Sequence, residues 1–443
     1  MSRSFNGQTL TFKWAVAITC VLLPGADPAH AGRPDHPKTV TIEKVTVAPR
    51  DSKTATVSFD LSWKGSWRHE GNHDAVWVFF KVQADGGTDW QPVRLVADKV
   101  LNPAGYGQDK GGTPLDFIVP RGEDGFVGMF VRRAEFGQGT VRTAGVTAVW
   151  DFAASEHITR DVNVSMRAFG IEMVYVPTGP YYLGTHAHTD MNDFYRYRKG
   201  EGKQTPYHVT GPGAIPTGRQ EDRLWASGAQ PDDGDEIPAS FPNGYPAIYC
   251  MKKMITGSDY CGFLNTLALE EAAKRYCPAI NRSGIAPDYT YSVNEEQAVH
   301  NLNPLSWADG AVFGAWAGLR PMTELEFEKI TVGPIEPGWD TGHSLDFPSY
   351  WDVRDSNGWR LMLERVVTVG NPEGRCFKGT HGRGTLQVPA DWPQDDAVGV
   401  GFRGGYGPKS RPSQRLRAAT VDPEQGRFYG WRGVRTAPEG VGL

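Results

Sequence analysis

The chain has 443 residues, 39% of them hydrophobic and 22% charged, which fits a globular protein of about two domains. Its net charge of −5 comes from acids and bases interspersed along the sequence, without the basic stripe that a nucleic-acid-binding face requires. The 14 Trp, 16 Tyr and 20 Phe, set among 53 Gly and 32 Pro, argue for turn-rich structure with aromatic anchors and against a helical bundle.

The first 31 residues read as a signal peptide. Lys13 precedes the apolar run Trp14–Leu23, Pro24-Gly25 makes a turn, and Ala29-His30-Ala31 matches a small-x-small cleavage site. The run is too short to span a bilayer, and no later segment reaches the roughly 18 apolar residues needed, so no membrane span is expected. The expected location is extracellular, periplasmic or on the cell surface. Cys20 lies in the apolar run without a lipoprotein cleavage box around it. Removing the signal leaves Cys250, Cys261, Cys277 and Cys376, none in a Cys-x-x-Cys pair. Both structural disulfides and plain buried thiols are open for them.

Residues 32–39 are a flexible lead-in. From Val40 to Phe169 the pattern alternates: Val40–Val47, Thr54–Trp63, Ala75–Val82, Leu115–Val119, Gly125–Arg132, Val146–Phe152 and Asp161–Phe169. About seven short strands with period-two alternation predict an all-β sandwich of immunoglobulin-like or fibronectin-like type over 40–169. His69 and His73 flank a turn there and read as surface histidines.

At Gly170–Gly184 a strand, a Pro-Thr-Gly turn and a second strand predict a hairpin. Residues 185–240 are rich in Gly, Pro, Asp and Thr, a long loop region of the kind that carries function, with a short strand near Tyr207–Thr210. Within it, Thr185-His186-Ala187-His188-Thr189-Asp190 alternates ligand types, and in an extended chain His186, His188 and Asp190 would share one face toward a divalent ion. Tyr245–Thr256 predicts a strand leading into a helix over Gly257–Tyr276, capped by Thr256 or Ser258, with Tyr260, Phe263, Leu264, Leu267 and Ala268 as its buried stripe. A second helix follows at about Glu295–His300 or Trp307–Gly318. Gly318–Lys329 then gives a proline-fixed turn, Thr323 as N-cap and Glu326 three residues on as the other half of a capping box.

Taken together, these blocks resemble the formylglycine-generating-enzyme (sulfatase-modifying factor) family. Gly170–Gly184 is similar to its opening "M-V-x-V-P-x-G-x-F-x-M-G", and Tyr245–Asn265 to "Y-x-M-x-x-E-V-T-x-x-Q-Y-x-x-F-L-N", with Met254 where an acid is usual. Arg320–Glu328 resembles "R-L-P-T-E-A-E-W-E", Leu361–Glu364 stands at "G-N-V-W-E" with only Glu364 kept, and Gly401–Gly405, Arg415–Ala419 and Gly430–Arg435 follow its closing run. The resemblance spans 170–438 and implies an α+β C-type-lectin-like fold for 170–443, behind the sandwich.

The family's oxygen-dependent enzymes place two copper-binding cysteines just after Arg-Gly-Gly. Here those places fall near Lys409 and near Ser413 or Gln414, which supply no thiolate, and Cys376 is far upstream. Formylglycine generation by that mechanism is therefore rejected. The iron-dependent branch needs a histidine-rich helical domain, where this chain has a β-rich one. The resemblance also allows calcium, for which Asp340, Asp346, Asp352, Asp355 and Asn357 are available oxygen ligands. Lys409, Arg411 and Gln414 would line the family's groove, with His381 between glycines as a further ligand contact. Glu326 and Glu364 read as framework, tied to Arg417 or Arg435 by buried ion pairs.

The expected function is an exported, non-catalytic recognition protein whose lectin-like domain binds a glycan, a peptide or a cell-surface protein. A metal-dependent oxidoreductase built around His186, His188 or His381 is the alternative, and a structural component of the cell envelope the third.

Overall fold

The computed structural model describes residues 40–96, 113–120, 126–184, 186, 193–200, 205–226, 236–286, 288–302, 305–337, 349–354, 363–404, 415–417, 421–422 and 429–441. The signal segment and lead-in lie outside them, as do His188, Asp190, Lys409, Arg411 and Gln414. The protein is β-rich with a few short helices.

The seven alternating segments of the N-terminal half do form strands. Val40–Pro49, Thr54–Arg68 and Gly137–Asp151 make a three-stranded antiparallel sheet. Alternate residues of Thr54–Arg68 are buried, as a strand with one covered face requires. Val57, Phe59, Leu61 and Trp63 from this sheet meet Val76, Val78, Phe80 and Val82 from the strand Asp74–Ala84 in one apolar cluster.

The second layer differs from the expected sandwich. Asp74–Ala84 belongs to an eight-stranded sheet ordered Arg320–Pro321, Gly433–Thr436, Ile248–Met251, Val164–Val176, Asp74–Ala84, Gly128–Arg133, Leu115–Ile118, with Gln91–Pro92 attached to Asp74–Ala84. The boundary drawn at 169/170 thus falls in the middle of a 13-residue strand. That strand pairs Asp74–Ala84 along its length and, through Met173–Val176, also pairs Ile248–Met251. Gly170 lies inside that strand. A Cβ there would stand 2.9 Å from Val40 Cγ1 and 3.2 Å from Val76 Cγ1, so glycine lets the two sheets close over this point.

Asp74–Ala84 is buried on both faces for nine residues. Its second face carries Ala75, Trp77 and Phe79 into a cluster shared with Phe130, Met173, Tyr249 and the helices Gly257–Leu264 and Trp307–Ala317. The Trp77 indole donates to Ala317 O at 2.8 Å, tying the N-terminal half to a helix of the C-terminal half. Farther along the sheet, Val174, Val176, Ile248, Cys250 and Val434 pack beneath Phe327 and Ile330 of the helix Glu324–Val332. A four-stranded sheet, ordered Arg415–Arg417, Val400–Arg403, Leu363–Val367, Tyr429–Gly430, lies beyond that helix.

The single helix expected over Gly257–Tyr276 is two, Gly257–Leu264 and Leu269–Lys274. Asn265 ends the first because its amide spends both of its groups on Tyr291, donating to O and accepting from N at 2.8 Å each. Ala268, expected in the buried stripe, is exposed as a result. Thr256 caps the first helix through a capping box with Asp259. Both places considered for the next helix are helical, at Glu295–Val299 and Trp307–Ala317. All four described cysteines carry free thiols, three of them buried. Among the described residues, no helix is long and apolar enough to cross a membrane.

Candidate functional site

The capping box read from Thr323 and Glu326 is formed: the Thr323 hydroxyl accepts from Glu326 N at 3.1 Å, and Glu326 accepts from Thr323 N at 3.0 Å. Every residue of Glu324–Val332 is buried. Three glutamates in such a helix need charged partners. At 100° per residue, Glu324 and Glu328 share one side, and Glu326 points roughly the other way. Arg403 serves the first side, pairing with Glu328 and lying 3.8 Å from Glu324. Glu324 also accepts from Thr368 Oγ1 and Val369 N at 2.7 Å. Arg320 serves the other side with a two-pronged contact to Glu326 at 2.6 and 2.9 Å. Lys329 turns to the carbonyls of Tyr245 and Pro246, and burial brings its ammonium down to about 7.

Glu364 is likewise buried and framework-bound, with Arg432 donating to both of its oxygens at 2.7–3.1 Å. This corrects the expected partners. Arg435 reaches neither glutamate: its guanidinium donates to Gly318 O and lies 4.6 Å from the Trp77 ring centroid. Arg417 lies on the strand Arg415–Arg417, and its side chain is outside the described residues.

His381, read as a ligand contact, is a backbone lock. Its Nε2 accepts from Thr436 N at 3.0 Å, which puts the ring proton on Nδ1. Burial, with Arg435 and Arg320 adding to it, holds the ring well below its usual titration range. His186 meets Glu336 at 3.1 Å. Among the described residues, no three His, Cys, Asp or Glu side chains come together as a metal site. Asp352, from the calcium reading, is held by Arg354 at 2.7 Å and lies 4.0 Å from Lys252. The other four oxygen ligands named for calcium are outside the described residues.

Two features escaped the sequence reading. The first is a polar seam across the central sheet, between the sandwich cluster and the cluster under the helix Glu324–Val332. Asp74 accepts from Trp63 Nε1, Ser66 Oγ and Trp67 N at 3.0–3.3 Å, and Arg133 Nε donates to Ser66 Oγ at 3.0 Å. Lys252 pairs with Glu172 at 2.6 Å. Burial, and then the Glu172 carboxylate, push the Asp74 carboxyl up to about 7. On the opposite face His73, expected at the surface, is fully buried; it stacks on Tyr175 and meets the Tyr249 hydroxyl at 3.0 Å. Burial, with Arg132 and Arg68, brings its ring down to about 2, so it stays neutral. Asp74 fixes a strand start and Lys252 joins strands from the two halves, which is a positioning task.

The second feature is a hairpin within 185–240. Phe194–Arg196 pairs antiparallel with Leu224–Ala226, Tyr195 opposite Trp225. Phe194, Leu224 and Ala226 are fully buried in the main cluster. Alternation therefore turns Tyr195, Tyr197 and Trp225 away from the core, and all three are half-buried. Arg196 and Arg198 are held by Asp222 at 3.2 and 3.4 Å, and the Arg219 guanidinium lies 6.0 Å from the Tyr197 ring centroid.

In comparisons with known proteins, the chain matches no family model, no curated protein and no solved structure.

Proposed function

We propose that the chain is an exported recognition protein: a β-sandwich-like N-terminal half joined to a lectin-like domain related to the formylglycine-generating enzymes, working without catalysis. The observation that carries this reading is where the motif residues go. Arg320, Glu326, Glu364, Arg403 and Arg432, drawn from four separated blocks, are each no more than 1% exposed and tied into ion pairs that clamp one helix and two sheets. Two further blocks lie beside the last of these, as the neighbouring strands Val164–Val176, Ile248–Met251 and Gly433–Thr436. Residues far apart in sequence thus act together as one scaffold, which supports the family reading and consumes its acids as framework. Lys409, Ser413 and Gln414 supply no thiolate where the family's copper enzymes have one. Surfaces rather than reactive groups are left to carry function, and a glycan, peptide or cell-surface protein is the class of ligand.

Metal analysis of the purified protein tests this. The expected result is sub-stoichiometric iron and copper, unchanged by the His186→Ala/His188→Ala pair. Stoichiometric iron or copper that disappears in that variant would overturn the reading in favour of metal-dependent oxidation.

A further inference from the structure

We propose that the outward face of the hairpin formed by Phe194–Arg196 and Leu224–Ala226 binds an acidic polysaccharide; the proposal rests on the recognition reading above and gives it a site. Tyr195 lies on the strand Phe194–Arg196 and Tyr197 one residue past its end, about 7 Å farther along an extended chain, and Trp225 stands directly across from Tyr195 at about 5 Å. Three ring faces over that span match two or three linked sugar rings. The inward residues Phe194, Leu224 and Ala226 are fully buried, so the hairpin holds these rings on a fixed base.

The chemistry around the rings selects the occupant. The outward positions of these strands, Tyr195 and Trp225, are both aromatic and neither is aliphatic, unlike the mixed apolar centre of a protein–protein interface. The C–H faces of pyranose rings stack on Tyr and Trp. The balance of charge then points to an acid. The described residues of 193–226 carry five Lys or Arg against three Asp or Glu, one of which, Asp193, is buried, whereas the chain as a whole is at −5. Arg219 is exposed above Tyr197, and no described carboxylate lies within ion-pair distance of it. A uronate carboxylate or a sugar sulfate stacked beside Tyr197 would give Arg219 that partner.

The test is retardation of the full chain in native gels containing polygalacturonate, with chondroitin sulfate as a second acidic probe and dextran as the neutral one. Wild type should be retarded by an acidic probe and not by dextran. Trp225→Ala should weaken that binding at least tenfold, and Arg219→Gln about fivefold. Tyr197→Phe keeps the ring and should bind within twofold of wild type, while Tyr197→Ala should not. Arg219 and Tyr197 lie outside the core, so circular dichroism identical to wild type is expected for their variants and separates lost binding from lost folding. Wild type that ignores both acidic probes, or variants that bind as wild type does, would overturn the site. Equal retardation by dextran would overturn its acidic selectivity. Failure here in a metal-free protein leaves the recognition reading standing; binding here in a protein with stoichiometric redox metal leaves the site and removes that reading.

Discussion

The pair Arg320–Glu326 gives the sharpest test of the framework. Glu326→Gln keeps the shape of the side chain and an oxygen for Thr323 N, but it removes the charge facing a guanidinium that is 1% exposed. An uncompensated buried charge costs about 3–5 kcal/mol. Arg320 keeps neutral acceptors in Pro321 O and Thr436 Oγ1, so the lower end applies, about 3 kcal/mol or roughly a 150-fold shift in the folding equilibrium. Urea unfolding followed by circular dichroism should show a lower midpoint at unchanged slope. The double variant Arg320→Met/Glu326→Leu removes both charges and leaves only the lost cap, about 1 kcal/mol. It should therefore be more stable than Glu326→Gln alone. A Glu326→Gln protein within 1 kcal/mol of wild type, or a double variant as unstable as its two singles summed, would refute the argument.

Two further outcomes follow from the packing. Gly310→Ala should destabilise by about 1 kcal/mol although alanine is the better helix former by nearly that amount, because its Cβ would stand 2.5 Å from Cγ and Cδ1 of Trp431; a raised urea midpoint would show that the ring moves freely. Asp74 gives a pH dependence. Its folded carboxyl is raised to about 7, against about 3.9 in an unfolded chain, so the stability it contributes is complete below about pH 4 and is lost as pH rises through 7. Urea midpoints of wild type relative to Asp74→Asn should fall across that window; parallel curves would mean that Asp74 does not titrate there.

Much of the fold was legible because its signals are local. Period-two alternation located the N-terminal strands, and Thr323 with Glu326 located a helix start, since a capping box depends on residues three apart. What could not be read was where one half stops. A glycine after an alternating run serves equally as a strand end or as the point where a second layer comes close. At Gly170 it is the latter, and the strand Val164–Val176 continues through it. The same ambiguity hid the break at Asn265, whose partner Tyr291 is 26 residues on.

The chemistry was less legible because burial decides it. Glu324, Glu326 and Glu328 have the look of an acidic surface or of acid/base residues, and only the arrival of Arg320 from one side and Arg403 from the other turns them into framework. Glu326 and Glu364 could be read as tied to arginines, but which arginines is a matter of register. The pairing of Ile248–Met251 with Gly433–Thr436 turns Arg435 toward Trp77 and Gly318, while Arg432, three residues earlier, meets Glu364. The hairpin shows the converse. Within 185–240 its strands are too short for periodicity to stand out, yet once Tyr195 is seen opposite Trp225, Phe194, Leu224 and Ala226 fall together on the buried face. A one-residue slip there would bury Tyr195 and Trp225 and turn Phe194 and Leu224 outward, so register alone makes this stretch a surface that can meet a ligand.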